Sequence, residues 1–201
     1  MFLVICCTVI FLSLESAVIS AVVFGLLGRQ RVYDVGYRHM CRFHAKTVYE
    51  QPILRGVEFA WRLDDDSFIT REIGYDVIGL MHEQQYIYGF VKVFRELPLW
   101  TAGLWNAAKE YINVTSVKTE FFNKWPRNSM YYNNFEISRL SLWLSSDYQR
   151  FINYIDQLGG IYYHRWGDAP IKSIAVAMFV PRRQTHHFKD IGYRHQFFNR
   201  P

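Results

Sequence analysis

Residues 57–68 read "VEFAWRLDDDSF" and place an aromatic, apolar run before three consecutive carboxylates. The first five residues are rich in β-branched and aromatic side chains, which predicts a buried strand over 57–61. In an open α/β sheet, ligands bind beyond the carboxyl ends of strands, and Asp64, Asp65 and Asp66 stand at such a position. A hard divalent cation would offset the repulsion among these charges. From these residues alone, a metal site and a solvated acidic turn both remain open.

The sequence around this stretch alternates between strand-like and helix-like patterns. A second strand is predicted over 88–94, where the run "YGFVKVF" begins. Helices are predicted over 76–85, 101–113, 145–160 and 168–180. Asp76 is expected to cap the first helix, Ser146 and Gln149 have capping-box spacing in the third, and Pro170 lies in the first turn of the fourth. This alternation predicts an α/β fold.

Composition and charge narrow the class of protein. The chain has 201 residues, of which half are hydrophobic and 18% aromatic, which predicts one globular domain. Its formal charge is +5, but the longest basic clusters are short, at 29–31 and 182–183. Proteins that bind nucleic acid more often carry a basic stripe or run. We therefore expect no nucleic-acid partner.

The first 28 residues differ from the remainder. Residues 2–27 are apolar apart from a few polar positions, among them Glu15, and their length suits a membrane-spanning helix of about 20 residues. We expect residues 1–28 to be a signal peptide or membrane anchor and 29–201 to be the folded domain; a misassigned start of the coding sequence is a third interpretation. Asn113-Val114-Thr115 is an N-glycosylation acceptor pattern, which points weakly to the secretory pathway.

Three further stretches carry candidate functional residues. They are "YYNNFEISRL" at 131–140, "GGIYYHRWGDAP" at 159–170 and "THHFKDIGYRH" at 185–195. Each also has a purely structural interpretation. Glu136 would then be a salt-bridged acid, Asp168 a helix cap, and His186 a surface residue.

Taken in order with "YRHMCRF" at 37–43, "YDVIGLM" at 75–81 and the acidic stretch, these motifs resemble glycosyltransferase family 15. This family comprises fungal Golgi α-1,2-mannosyltransferases that use GDP-mannose. The resemblance covers about residues 37–198. It implies a GT-A-like α/β domain with a mixed central sheet flanked by helices, and one that lacks the family's first nucleotide-binding strands.

The resemblance also implies a function. It implies retaining transfer of mannose from GDP-mannose to mannose-containing glycans of glycoproteins or glycolipids, with Mn²⁺, in the Golgi lumen on a single-pass membrane protein. The alternative is a catalytically incomplete, membrane-tethered domain that binds glycans or partner proteins. The acid set favours the enzyme, and the missing strands favour the alternative.

Residue roles follow from the matched motifs. The resemblance makes Glu136 the carboxylate that acts as nucleophile or cation stabiliser, and Asp168 the group that deprotonates or positions the acceptor. It implies metal-site roles for Asp66, Glu96 and His186. It implies substrate-binding roles for Tyr37, Arg42, Asp64, Arg165 and Trp166.

Overall fold

The structure, a computed structural model, describes residues 2–6 and 35–195. Within these ranges the chain forms nine strands and seven α-helices, with short 3₁₀ turns between them. The strands are β1 Phe2–Cys6, β2 Phe59–Leu63, β3 Ser67–Ile69, β4 Tyr88–Phe90, β5 Val93–Arg95, β6 Ser129–Tyr131, β7 Phe135–Arg139, β8 Thr185–His187 and β9 Tyr193–His195. The helices are α1 Val35–Ala45, α2 Val77–Glu83, α3 Leu104–Thr115, α4 Leu140–Leu144, α5 Ser146–Gln157, α6 Gly160–Tyr163 and α7 Asp168–Phe179.

The central sheet has five strands in the order β1-β2-β7-β4-β8. Strand β7 runs antiparallel to both of its neighbours, while β1 pairs parallel with β2 and β8 pairs parallel with β4. Two small antiparallel ladders, β3 with β9 and β5 with β6, lie outside it. The mixed sheet and its flanking helices confirm the predicted α/β class.

Strand alternation gives the central sheet two different faces, because successive side chains of a strand point to opposite sides. On one face, Phe59 of β2 and Phe135 and Ile137 of β7 form an apolar cluster with Val77 and Met81 of α2. The intervening positions of the same two strands include polar residues that are also buried. The second face therefore carries the chemistry-bearing side chains.

Helix α7 covers this polar face. Its residues from Pro170 to Met178 are all buried, and it packs against α1, α5 and β6. A helix that is buried all round sits in the interior of a domain. Its polar members, Asp168 and Lys172, are thereby brought to the polar side of the sheet.

Several predicted elements are confirmed, with shifted ends. Asp76 caps α2 by accepting hydrogen bonds from the backbone N–H groups of Ile78 and Gly79. The predicted strand at 88–94 is instead two strands, β4 and β5, which belong to different sheets. Helix α5 is capped by Ser145 rather than Ser146, because the Ser145 hydroxyl accepts from the backbone N–H of Tyr148.

The N-terminal stretch is described only in part. Residues 2–6 form β1, with Phe2 opposite Phe59 and Cys6 opposite Leu63 on β2. Residues 7–34, which hold most of the predicted signal peptide or anchor, lie outside the described residues. Among the helices that are described, none is long and apolar enough to cross a membrane.

Candidate functional site

The acidic turn after β2 contacts the imidazole of His195, at the end of the last strand in the described part of the chain. Strand β3 begins just after the turn and pairs with β9, so that Ser67 lies opposite His195. Nε2 of His195 lies 2.8 Å from Oδ1 of Asp66 and 3.5 Å from Oδ2 of Asp64. The Asn134 side-chain amide also donates to Oδ2 of Asp64. The acidic turn is thus contacted by Asn134, just before β7, and by His195, at the end of β9.

Asp64, Asp66 and His195 fit a divalent cation. Each offers one ligand atom, these atoms lie within 4.8 Å of one another, and all three side chains are partly exposed. Carboxylate oxygens suit Mn²⁺, and imidazole nitrogen is a common ligand of transition metals. The donor set therefore suits Mn²⁺.

Two residues that the resemblance assigns to the metal site lie elsewhere. His186 is on β8, the far edge of the central sheet, with its ring stacked on Tyr86 at 4.6 Å. Three strand spacings separate β8 from β2, which amounts to about 14 Å. The Glu96 carboxylate accepts a hydrogen bond from the backbone N–H of the next residue, Leu97. In the described part of the chain, the cluster holds His195 where the resemblance gives His186, and it does not include Glu96.

Behind the acidic turn, Arg62 joins β2 to α7. Its Nη1 lies 2.5 Å from Oδ2 of Asp168, and its Nε and Nη2 each lie 3.3 Å from Oδ1 of Asp64. Asn133 also donates to Asp168, at 2.7 Å. Burial alone would raise the pKa of Asp168, but Arg62, aided by His44, lowers it to about 2. Asp168 is therefore a stable carboxylate at neutral pH.

Asp168 is not a helix cap, the structural interpretation of its sequence. It is the first residue of α7, and no side chain makes a capping hydrogen bond at this helix start. Its carboxylate points to Arg62 and Asn133 instead. Arg62 was not predicted as a site residue, although it lies two residues before Asp64, a spacing that places both side chains on one face where the chain is extended.

Glu136 lies on β7 between Arg62 of β2 and Phe90 of β4 in the register of the sheet. It is 3% exposed, and both carboxylate oxygens are engaged. Oε2 accepts from the Tyr88 hydroxyl at 2.9 Å, and Oε1 accepts from the ammonium of Lys172. The salt bridge proposed as the structural interpretation of Glu136 is therefore present, and it is buried.

Of the five predicted substrate-binding residues, Asp64 lies in the metal cluster, and the other four divide into two groups. Trp166 is 4% exposed; its indole N–H donates to the carbonyl of Ala102, and its ring packs on Gly160 so closely that a Cβ there would lie 2.3 Å from it. Arg42 forms a bidentate ion pair with Asp156 of α5 at 2.7 and 2.8 Å. Both side chains are engaged in joining elements of the fold.

Arg165 and Tyr37 lie together. Arg165 has a left-handed backbone, with φ of 60°, and its guanidinium stacks over the rings of Tyr37 at 4.7 Å and Trp100 at 4.0 Å. Burial, with charge contributions from Cys41 and Asp168, raises the pKa of Tyr37 well above its usual range. A strained backbone that holds a buried guanidinium between aromatic rings is typical of a functional site.

Comparison with known proteins agrees with the resemblance in the motifs. The family model described as glycolipid 2-alpha-mannosyltransferase matches residues 30–200. A probable mannosyltransferase, MNT3 of Candida albicans, is 39% identical over 165 residues, which cover 79% of this chain and 44% of the relative. Glycolipid 2-alpha-mannosyltransferase of Saccharomyces cerevisiae is 34% identical over 169 residues, covering 79% of this chain and 38% of the relative.

Solved structures give the same assignment. Core-mannan synthase A (CmsA/Ktr4) of Aspergillus fumigatus, in its Mn/GDP form, superposes with a TM-score of 0.77 at 26% identity, over 92% of this chain and 55% of that one. Ktr4p of S. cerevisiae in complex with GDP gives 0.77 at 28% identity, over 92% and 52%. The chain spans less than half the length of the curated relatives it matches. On the extent of the family match, the chain belongs to the glycolipid 2-alpha-mannosyltransferase family.

Proposed function

We propose that this protein is a retaining α-1,2-mannosyltransferase that transfers mannose from GDP-mannose to mannose-containing glycans in the presence of Mn²⁺. The observation that carries the proposal is the continuous polar path from the Asp64–Asp66–His195 cluster through Arg62 to Asp168. Family membership supports the reaction, and the Mn/GDP form of the Aspergillus relative supports the metal and the nucleotide.

The metal site has a defined chemical task in this proposal. Asp64, Asp66 and His195 would hold Mn²⁺, which offsets the negative charge that develops on the leaving diphosphate when the sugar–phosphate bond breaks. The chain's own contribution is to fix these ligands. The β3–β9 ladder places His195, and Arg62 and Asn134 orient Asp64.

Glu136 and Asp168 have different tasks. As the sugar becomes oxocarbenium-like, a fixed carboxylate lowers the barrier by stabilising positive charge, and Glu136 is fixed by the Tyr88 hydroxyl and the Lys172 ammonium. Asp168, whose pKa is about 2, is a weak base. This supports a role in positioning Arg62 and the acceptor over a role in removing the acceptor proton.

The compartment is part of the proposal. We propose that the protein acts in the Golgi lumen. The sequon supports this placement, because Asn113 is exposed on the last turn of α3, where an oligosaccharide can be attached without disturbing the core. The proposed acceptors are glycans of glycoproteins or glycolipids.

A transfer assay on the whole chain tests the proposal. The protein is incubated with GDP-mannose and an α-mannoside acceptor, with Mn²⁺ or with a chelator, and the product linkage is determined by NMR. We expect an α-1,2-linked product that depends on Mn²⁺. A folded protein that binds the mannoside but forms no product under any of these conditions would support the glycan-binding alternative instead.

A further inference from the structure

Lys172 is a buried lysine that the proposed mechanism does not yet use. It lies on α7, one turn after Asp168, and is 2% exposed. Its ammonium contacts Oε1 of Glu136 and faces the rings of Trp143 at 4.5 Å and Tyr49 at 5.4 Å. A lysine this deeply buried needs a compensating partner, and Glu136 supplies one.

Stability alone does not account for this pair. Burial lowers the pKa of Lys172, and attraction to Glu136 only partly offsets that effect. Apolar side chains of similar volume often serve a fold as well as a buried ion pair does, or better. The Lys172–Glu136 pair is therefore better explained by what it does to the carboxylate.

The ammonium and two hydroxyl groups fix the Glu136 carboxylate. Lys172 and the Ser138 hydroxyl both approach Oε1, the latter at 3.3 Å, while the Tyr88 hydroxyl donates to Oε2. The Ser138 hydroxyl is itself held, because it accepts from the indole N–H of Trp143 at 2.8 Å. All the contacts described for this carboxylate are donors, so both of its oxygens are held as hydrogen-bond acceptors.

Other titratable groups surround the pair on every side. Arg62 lies beside Glu136 on β2, and Asp168 lies one turn before Lys172 on α7. The remaining groups that act on the pair come from three further elements: His44 of α1, Tyr49 of a 3₁₀ turn and Tyr148 of α5. Arg62 is a second cation beside Glu136 in the register of the sheet, and its guanidinium also contacts Asp64 and Asp168.

We infer that Lys172 is a positioning residue of the transfer reaction, which holds the Glu136 carboxylate in one orientation and supplies its counter-charge. The inference rests on the proposed function, since it assigns Lys172 a task only if Glu136 stabilises charge on the sugar. Without the ammonium, Glu136 would lose a counter-charge that touches it in the interior, and burial without such a partner disfavours the charged form of a carboxyl group.

The test is the pH dependence of kcat in Lys172→Met, measured on the whole chain with GDP-mannose, Mn²⁺ and a mannoside acceptor between pH 6 and 9. We expect kcat to be about tenfold or more below wild type at pH 7 and to recover as the pH rises, with KM for GDP-mannose nearly unchanged. Lys46→Met removes a lysine paired to Asp156 away from this network and should keep the wild-type profile. An activity loss that only follows the folded fraction, with an unchanged pH profile, would overturn the inference.

A second variant decides the matter if Lys172→Met does not fold. Lys172→Arg keeps the positive charge but replaces a compact ammonium with a planar guanidinium. We therefore expect an unchanged pH profile and a kcat lowered about 10- to 100-fold, because the carboxylate of Glu136 is misplaced. A wild-type kcat in this variant would overturn the inference. Failure of the proposed function is distinguishable, because the wild-type chain itself would then form no product.

Discussion

Nη1 of Arg62 and Oδ2 of Asp168 lie 2.5 Å apart in the interior of the protein, and this contact joins the central sheet to helix α7. The same guanidinium reaches Asp64 in the acidic turn at 3.3 Å. One side chain therefore contacts both the acidic turn, which carries the proposed metal ligands, and Asp168, which is proposed to position the acceptor. Arg62 is consequently expected to matter for both stability and activity.

Replacing Arg62 with methionine should destabilise the protein strongly. The change leaves Asp168 as a buried carboxylate without its guanidinium partner, and breaking a buried pair in this way costs about 3–5 kcal/mol. Urea unfolding at pH 7 measures the effect. The matched control is Arg150→Met, which removes an exposed ion pair with Asp147 and should cost less than about 1 kcal/mol. Equal losses in the two variants would contradict the described role of Arg62.

Substitutions of His195 and His186 test which of these two histidines is a metal ligand. His195→Gln and Asp66→Asn should each weaken Mn²⁺ binding in the presence of GDP by more than about tenfold, because each removes a ligand from the cluster. His186→Gln alters an imidazole on the far edge of the sheet and should leave binding unchanged. Electron paramagnetic resonance titration of Mn²⁺ distinguishes the two histidines. Loss of binding in His186→Gln with retention in His195→Gln would restore the assignment made from sequence resemblance.

Acid should destabilise the protein through His44. Burial lowers the pKa of His44 from 6.5 to about 3, with a contribution from the charge of Arg62. Between pH 6.5 and 3 the unfolded chain therefore binds a proton that the folded state does not, so the free energy of unfolding falls as the pH falls, by about 1.4 kcal/mol per pH unit for this group. Melting temperatures measured from pH 7.5 to 5 should decline. His44→Gln should flatten the decline, whereas the exposed His164→Gln should not; identical slopes in all three proteins would contradict the assignment.

The sequon offers a test of compartment. If the chain is lumenal, expression in a eukaryotic cell should attach a glycan to Asn113, which is exposed at the end of α3. Endoglycosidase treatment should then shift the protein on a gel, and Asn113→Gln should abolish the shift. Ser116→Ala, just outside the acceptor triplet, is the control that keeps the glycan. A wild-type protein that never carries a glycan would argue against a lumenal location.

Much of the local structure could be predicted because its signals are local. Helix α2 begins where Asp76 supplies a capping side chain, and α7 begins with Pro170 in its first turn. The acidic turn follows β2 as expected. These features depend on neighbouring residues and backbone preferences, which are visible in the sequence.

Strand β7 could not be predicted in the same way. Its apolar positions, Phe135 and Ile137, alternate with Glu136 and Ser138, which a simple reading of alternation assigns to solvent. In the structure the polar positions are also buried, because Lys172 and Trp143 supply their hydrogen-bond partners. Burial of a polar residue depends on hydrogen-bond partners that other elements of the fold supply, and the periodicity of a strand does not reveal them.

The metal cluster shows the same limitation. The sequence offers His186, His187 and His195 close together, and no local pattern distinguishes them. Pairing of β3 with β9 brings His195 to the acidic turn, whereas pairing of β8 with β4 carries His186 to the opposite edge of the central sheet. Trp166 is a related case, because an aromatic side chain suited to a sugar ring is equally suited to the core, and here it is buried.

We propose that Glu136 acts in the transition state of mannosyl transfer. Glu136→Gln keeps the size of the side chain and removes its charge, so Mn²⁺-dependent GDP binding should be nearly unchanged while kcat falls by about 100-fold or more. Parallel calorimetry with GDP and steady-state transfer assays, on protein whose folded fraction is checked by thermal melting, give both quantities on one sample. Intact GDP binding with lost turnover is the predicted result. A variant that keeps wild-type turnover per folded molecule would contradict the account.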